Sequence, residues 1–229
     1  MNERIRQWPR VQSFYKKAFE IRWGETWYAS VIQPIILSVE ENEKLRKRSE
    51  ETFPSMEKEW RPYELIIETQ IGLVLILCQT YITNVISQVQ NLHNDFRAIF
   101  KTELTGITKT KRNLLKLPAT YYEKTGYTKI EAIDHLANYF KHHQEWGGRS
   151  QSLKLNAKNT AKAIQELGLK IDKSLWYSRN LTNALRPLGV SVPSELPTLL
   201  TIVDEWKMDI GLHYKNLLSD DRDVQEIKA

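Results

Sequence analysis

Three of the five histidines in this 229-residue chain fall within nine residues, in a segment that also carries amides and carboxylates. If the segment is helical, Glu131, His135, Asn138, His142 and Glu145 follow i, i+4, i+7, i+11 and i+14 and project along one face. Imidazole is the side chain able to donate or accept a proton near neutral pH, so such a stripe suits acid–base chemistry. Lys141 stands beside it. Two other readings fit the same residues. One is the solvated face of an amphipathic helix, and the other is a metal held by His135 and His142 with a residue from elsewhere. Two turns separate those histidines by ~10.5 Å of axial rise, too far for neat chelation by both. The expected metal content is none.

The segment must be positioned by helices, because apolar residues recur at three- and four-residue spacings and only nine glycines and eight prolines occur. The expected fold is all-α, a helical bundle with one long central helix and several shorter ones. Thr128-Lys129-Ile130-Glu131 has the form of a capping box, which starts a helix running to Trp146 before Gly147-Gly148. The long helix is expected from Tyr63 to about Lys101, with Leu65, Ile66, Leu73, Leu77, Ile82, Ile86, Val89 and Phe96 along one broad side. An earlier helix over Thr26 to Glu50 should kink or break at Pro34.

Later helices are expected at Ala157–Leu167, at Asp172–Leu185 behind an aspartate cap, and at Glu195–Leu218. In the last, Leu199, Ile202, Val203, Trp206, Ile210 and Leu217 should point inward, and the acidic run Asp220–Asp223 should fray. Thr105–Gly126 reads as a basic connector with at most one short helix. Residues 1–229 are read as one domain, with 1–55 an N-terminal extension packed on the core.

A hydrophobic content of 41% is enough for a sizeable core, and the formal charge of +5 is modest. Its distribution is not. Residues 101–170 hold 13 Lys or Arg against 6 Asp or Glu, while the rest of the chain holds 20 against 22. Lys109, Lys111, Arg112 and Lys116 precede the stripe, and Arg149, Lys154, Lys158 and Lys162 follow it. Tyr121, Tyr122, Tyr127 and Trp146 are interleaved among them. Cations can engage phosphates while aromatic rings stack on unpaired bases, which makes a nucleic acid a candidate ligand. A lysine-rich surface with aromatic loop anchors is the alternative.

The lone cysteine, Cys78, lies in the apolar run Leu75-Ile76-Leu77-Cys78 and reads as a small core side chain. The other tryptophans, Trp8, Trp23, Trp27, Trp60, Trp176 and Trp206, read as anchors between helices. The polar start Met1-Asn2-Glu3-Arg4 does not resemble a signal peptide, and the charge-free stretch Thr69–Asn94 is broken by glutamines and asparagines. A cytoplasmic protein with no membrane contact is expected. No Gly-x-x-x-x-Gly-Lys, Gly-x-Gly-x-x-Gly, Cys-x-x-Cys or His-Glu-x-x-His pattern occurs, so nucleotide hydrolysis, dinucleotide redox chemistry and zinc ribbons lose their usual support.

The segment Leu136-Ala137-Asn138-Tyr139-Phe140-Lys141-His142-His143-Gln144-Glu145-Trp146 resembles the Asn-x-x-Lys-His segment of HEPN domains. These are helical proteins of prokaryotic toxin–antitoxin, CRISPR and phage-defence systems. The resemblance implies RNA as ligand, a second copy of the chain or a partner protein of a defence system, no cofactor, and metal-independent ribonuclease chemistry. It would assign Asn138, Lys141, His142 and His143 to catalysis. It would leave Lys109, Lys111, Arg112, Lys116, Arg149, Lys154 and Lys158 to bind the nucleic acid. One element of the family pattern is missing. No arginine stands four to six residues before any histidine, so the guanidinium that would stabilise charge on the scissile phosphate is absent from its place. The resemblance therefore accommodates binding without cleavage. A scaffold subunit that docks a partner protein is the alternative function.

Overall fold

The computed structural model describes residues 28–52, 62–101, 109–117, 122, 125–146, 155–169 and 180–226. The fold is all-α. A π-helical turn at Tyr28–Ile32 leads into α1, Gln33–Thr52; α2 is Pro62–Phe100 and α3 is the short Lys111–Leu114. Then come α4, Lys129–Trp146; α5, Leu155–Glu166; α6, Asn180–Leu185; and α7, Pro197–Glu226. The expected break near Pro34 is the change from π to α winding, where proline lacks the N–H that a continuous helix would use.

The 39-residue α2 is the strut on which α1, α4, α6 and α7 pack. Its buried stripe runs Ile67, Ile71, Val74, Cys78, Ile82, Val85, Val89, Leu92 and Phe96, steps of three and four residues that keep one face inward, with Leu75 buried beside it. Of the residues expected to line this face, Ile82, Ile86, Val89 and Phe96 are buried and Leu77 packs on the core, but Ile66 and Leu73 are exposed. Spaced seven apart, they continue into Thr80 and Ser87, also exposed. That row lies opposite the stripe, where an apolar sequence carries no phase of its own. By length and composition α2 could cross a membrane, and just over half of its most apolar stretch is buried within the molecule.

The remaining elements keep close to expectation. Thr128 Oγ1 accepts the Glu131 N–H at 3.1 Å, and Glu131 Oε2 accepts the Thr128 N–H at 2.9 Å, the reciprocal bonds of a capping box. Helix α5 is described from Leu155 to Glu166, close to the expected span, and α7 begins at Pro197, after a 3₁₀ turn at Pro193–Glu195. Leu199, Val203, Trp206 and Ile210 are buried as expected, with Ile202 half-buried on the core. The helix continues through Asp220–Asp223 to Glu226 instead of fraying there. The Asp172 cap, Gly147-Gly148 and the tryptophans other than Trp206 and Trp146 lie outside the described residues, as do the side chains of Trp146 and Leu217.

Several polar contacts cross the core. Glu68 on α2 accepts the N–H groups of Leu181 and Thr182 at 2.8 and 3.0 Å and the Thr182 hydroxyl at 2.5 Å, capping α6 with a buried carboxylate. His93 meets the Tyr214 hydroxyl at 2.7 Å, joining α2 to α7. The Trp206 indole donates to the Leu114 carbonyl at 3.0 Å, tying the end of α3 to α7.

At Gly72 the backbone of α2 lies against the Phe140 ring of α4. A Cβ at this position would overlap the Phe140 ring from its root outward, so the ring would have to move as a whole. Overpacking of this kind costs ~1–3 kcal/mol, offset by the ~0.5–1 kcal/mol that alanine gains over glycine inside a helix. Gly72→Ala should therefore lower unfolding stability by about 1–2 kcal/mol in urea titration. An unchanged or raised midpoint would show that the two helices are not pressed together here.

Candidate functional site

The N-terminal half of α4 turns two polar surfaces outward, one against α2 and the other into a cavity. Against α2, the Gln79 side-chain amide donates to the Asp134 carbonyl at 3.1 Å, to Asp134 Oδ1 at 2.8 Å and to Asn138 Oδ1 at 2.9 Å. Gln79 Oε1 in turn accepts from Lys141 Nζ. Asp134 Oδ1 also receives Lys111 Nζ at 2.8 Å, and Asn138 Nδ2 lies 3.5 Å from Asp134 Oδ2. Gln79 and Asp134 are buried, and a buried carboxylate is tolerable only when its lone pairs are occupied in this way.

The cavity measures about 720 Å³ and is lined by Lys111, Arg112, Leu115 and Lys116 from the connector, Tyr127, Glu131 and His135 at the start of α4, and Lys162 from α5. The lining thus carries four cations and one carboxylate, which is engaged in the capping box; Lys111 is paired with Asp134 at 2.8 Å and Lys162 with Glu166 at 3.7 Å, while Arg112 and Lys116 complete the cationic wall. Tyr127 is fixed by its hydroxyl, which donates to Glu166 Oε2 at 2.6 Å; its phenol is pushed up to about 12, first by burial and then by this carboxylate. The Tyr127 and His135 rings meet edge to face, with centroids 5.2 Å apart.

His135 is half-buried, and its Nδ1 is shielded from solvent with no hydrogen-bond partner. Burial is the largest influence on its protonation and lowers its pKa below 6.5. Asp134, Glu131 and Glu166 oppose that shift, and Lys111 adds to it. Burial thus favours the uncharged ring at neutral pH.

The five-residue stripe is therefore divided by its surroundings. Glu131 is buried, His135 lines the cavity, Asn138 is half-buried on Gln79, and His142 is exposed. The side chains of His143 and Glu145 lie outside the described residues. A solvated face would leave these groups to water, whereas the first three are held by the protein. Among the residues expected to bind nucleic acid, Lys111, Arg112 and Lys116 line the cavity; Lys109 is half-buried and Lys158 exposed. Arg149, Lys154 and Tyr121 lie outside the described residues. Tyr122 is buried and donates its hydroxyl to the Ala184 carbonyl at 3.0 Å, so it serves the core.

Sequence reasoning passed over Gln79 and Asp134. Asp134 stands one turn before Asn138, a spacing that could have flagged it, whereas nothing local distinguishes Gln79 from the other amides of α2. Elsewhere, Asp209 and His213 are both exposed, and burial together with Asp204 pushes the Cys78 thiol up to about 12, which suits a core side chain rather than a nucleophile. Among the described residues, no group of three or more His, Cys, Asp or Glu side chains is arranged to hold a metal ion.

No protein-family model, curated protein or solved structure matches the chain. The function must therefore be argued from the site itself.

The buried imidazole has a measurable consequence. The unfolded chain binds the His135 proton near 6.5 and the folded chain binds it only at lower pH, so stability falls as pH drops below 6.5 toward the folded value. His135→Gln should flatten this part of the profile, by at most ~1.4 kcal/mol per pH unit, in unfolding titrations between pH 7.5 and 5. Parallel profiles for the two proteins would contradict a depressed His135.

Proposed function

We propose that the chain is a HEPN-like RNA-binding protein that holds phosphates on the cationic wall of the cavity beside α4. What carries this reading is the convergence of Lys111, Arg112, Lys116 and Lys162, from two separate segments, on one open cavity. Lysine and arginine bind backbone phosphate by charge and counterion release, and a concave cationic surface raises the local concentration of a polyanion. Binding is favoured over cleavage. Asn138 and Lys141, two of the four residues that the resemblance assigns to catalysis, are hydrogen-bonded to Gln79, and the arginine of the family pattern is missing.

In this proposal the protein works in the cytoplasm of a prokaryote, in a defence or toxin–antitoxin setting, away from any membrane. The inward stripe of α2 and the exposed amides of Asn91 and Asn94 on its outer side support that placement, since an amide is costly to transfer from water to lipid. A second reading, a scaffold that docks a partner protein, is favoured by Met208 and Leu212, which stand one turn apart on α7 and are 59% and 57% exposed.

Titration of a fluorescent single-stranded RNA at several salt concentrations tests the first reading. Affinity should fall steeply with salt, and the log–log slope should lose ~0.7 for each phosphate contact removed by Lys116→Gln or Lys162→Gln. Absence of binding at low salt would remove the nucleic-acid reading and leave the docking one.

A further inference from the structure

We infer that the outer face of α7 is a seam on which a basic amphipathic helix of another protein docks. The inference rests on the docking reading and not on the nucleic-acid one, and α7 contributes no residue to the cavity lining. Along this face Thr201, Glu205, Met208 and Leu212 are exposed at steps of four, three and four residues, a line ~17 Å long. Such alternation keeps a row of side chains against a second helix. Val203, Trp206 and Ile210 serve the core from the other side, so the helix is amphipathic twice over. Met208 and Leu212 give the seam an apolar end that a partner would take out of water.

The charges say which helix fits. Glu205 stands in the seam and Asp209 on its edge, both exposed, while Asp204 on the opposite edge accepts the Tyr81 hydroxyl at 2.8 Å. Glu205 and Asp209 therefore carry the recognition. Lys207 is the sole lysine or arginine between Thr201 and Tyr214, and it is buried, its Nζ 5.7 Å from the centre of the Tyr81 ring. The seam thus presents carboxylates with no exposed lysine or arginine among them.

That pattern selects among occupants. A second copy laid parallel on the seam would bring Glu205 against its own counterpart and Asp204 beside the copy's Asp209, so like charges oppose self-pairing. Nucleic acid and anionic lipid meet the same carboxylates. A helix with leucines over Met208 and Leu212, and lysine or arginine facing Glu205 and Asp209, satisfies both halves of the seam. The whole chain carries +5, so a cationic helix is drawn by this local acid and not by the net charge.

Two synthetic helical peptides with the same leucine heptads, one carrying lysine and the other glutamate at the flanking positions, test the inference on the full chain. Met208 is one of three methionines, and its labelled methyl signal in NMR is assigned with Met208→Leu. The lysine peptide should shift that signal and, in calorimetry, bind at least tenfold more tightly than the glutamate peptide. Glu205→Lys combined with Asp209→Lys should reverse the preference. Both positions are exposed, circular dichroism checks the fold, and the NMR titration of the unaltered chain needs no charge variant.

A Met208 shift with equal affinity for the two peptides overturns the basic partner and leaves the docking reading in place. A Met208 shift on dilution of the chain alone does the same, since it makes a second copy the occupant. Peptide binding that leaves Met208 unmoved overturns the seam. A Met208 signal indifferent to both peptides and to dilution removes the inference and the docking reading together.

Discussion

The side-chain amide of Gln79 faces the polar side of α4 from inside the longest helix of the fold, and the cavity depends on that contact. An amide buried between helices must find both donors and acceptors, and Gln79 finds them in Asp134, Asn138 and Lys141. Removing one partner would strand the others in a medium where an unmet polar group costs ~1–3 kcal/mol. The network thereby fixes the rotation of α4 about its own axis. With that rotation set, Glu131 and His135 have one direction left, toward the connector and α5, where the cavity lies. Asp134 extends the same constraint to Lys111 and joins the packing of α4 to the charge of the site.

Close packing acts alongside this polar constraint. Gly72 lets the Phe140 ring lie against the α2 backbone, and the interhelical distance that results is the one at which Gln79 reaches across. A larger residue at position 72 would disturb both. The polar network selects an orientation and the glycine selects a separation, so neither would position α4 alone.

Legibility in the sequence followed the range of the interactions. The Thr128–Glu131 cap joins residues three apart and could be read from four letters; the structure contains its two hydrogen bonds. The phase of α2 was read only in part, because Ile66 and Leu73 are as apolar as the residues that are buried and nothing local says which side meets α4. Gln79 was read as one of several amides interrupting an apolar run, since its partners lie 55 to 62 residues away. Most of the cavity's lining residues were individually conspicuous as lysines, an arginine, a tyrosine and a histidine. Their convergence was not, because it is a product of packing among three segments.

The buried Glu68 carboxylate sets an order on assembly. The described part of helix α6 spans six residues, fewer than an isolated helix needs to persist in water, and the N–H groups of Leu181 and Thr182 are satisfied by Glu68, more than a hundred positions earlier in the chain. The N–H groups of its first described turn are therefore completed by α2, and the turn depends on that helix being in place. A chain emerging from the ribosome has α2 complete long before Asn180 is added, so the surface that caps α6 is waiting when that segment arrives. The direction of synthesis and the direction of dependence agree.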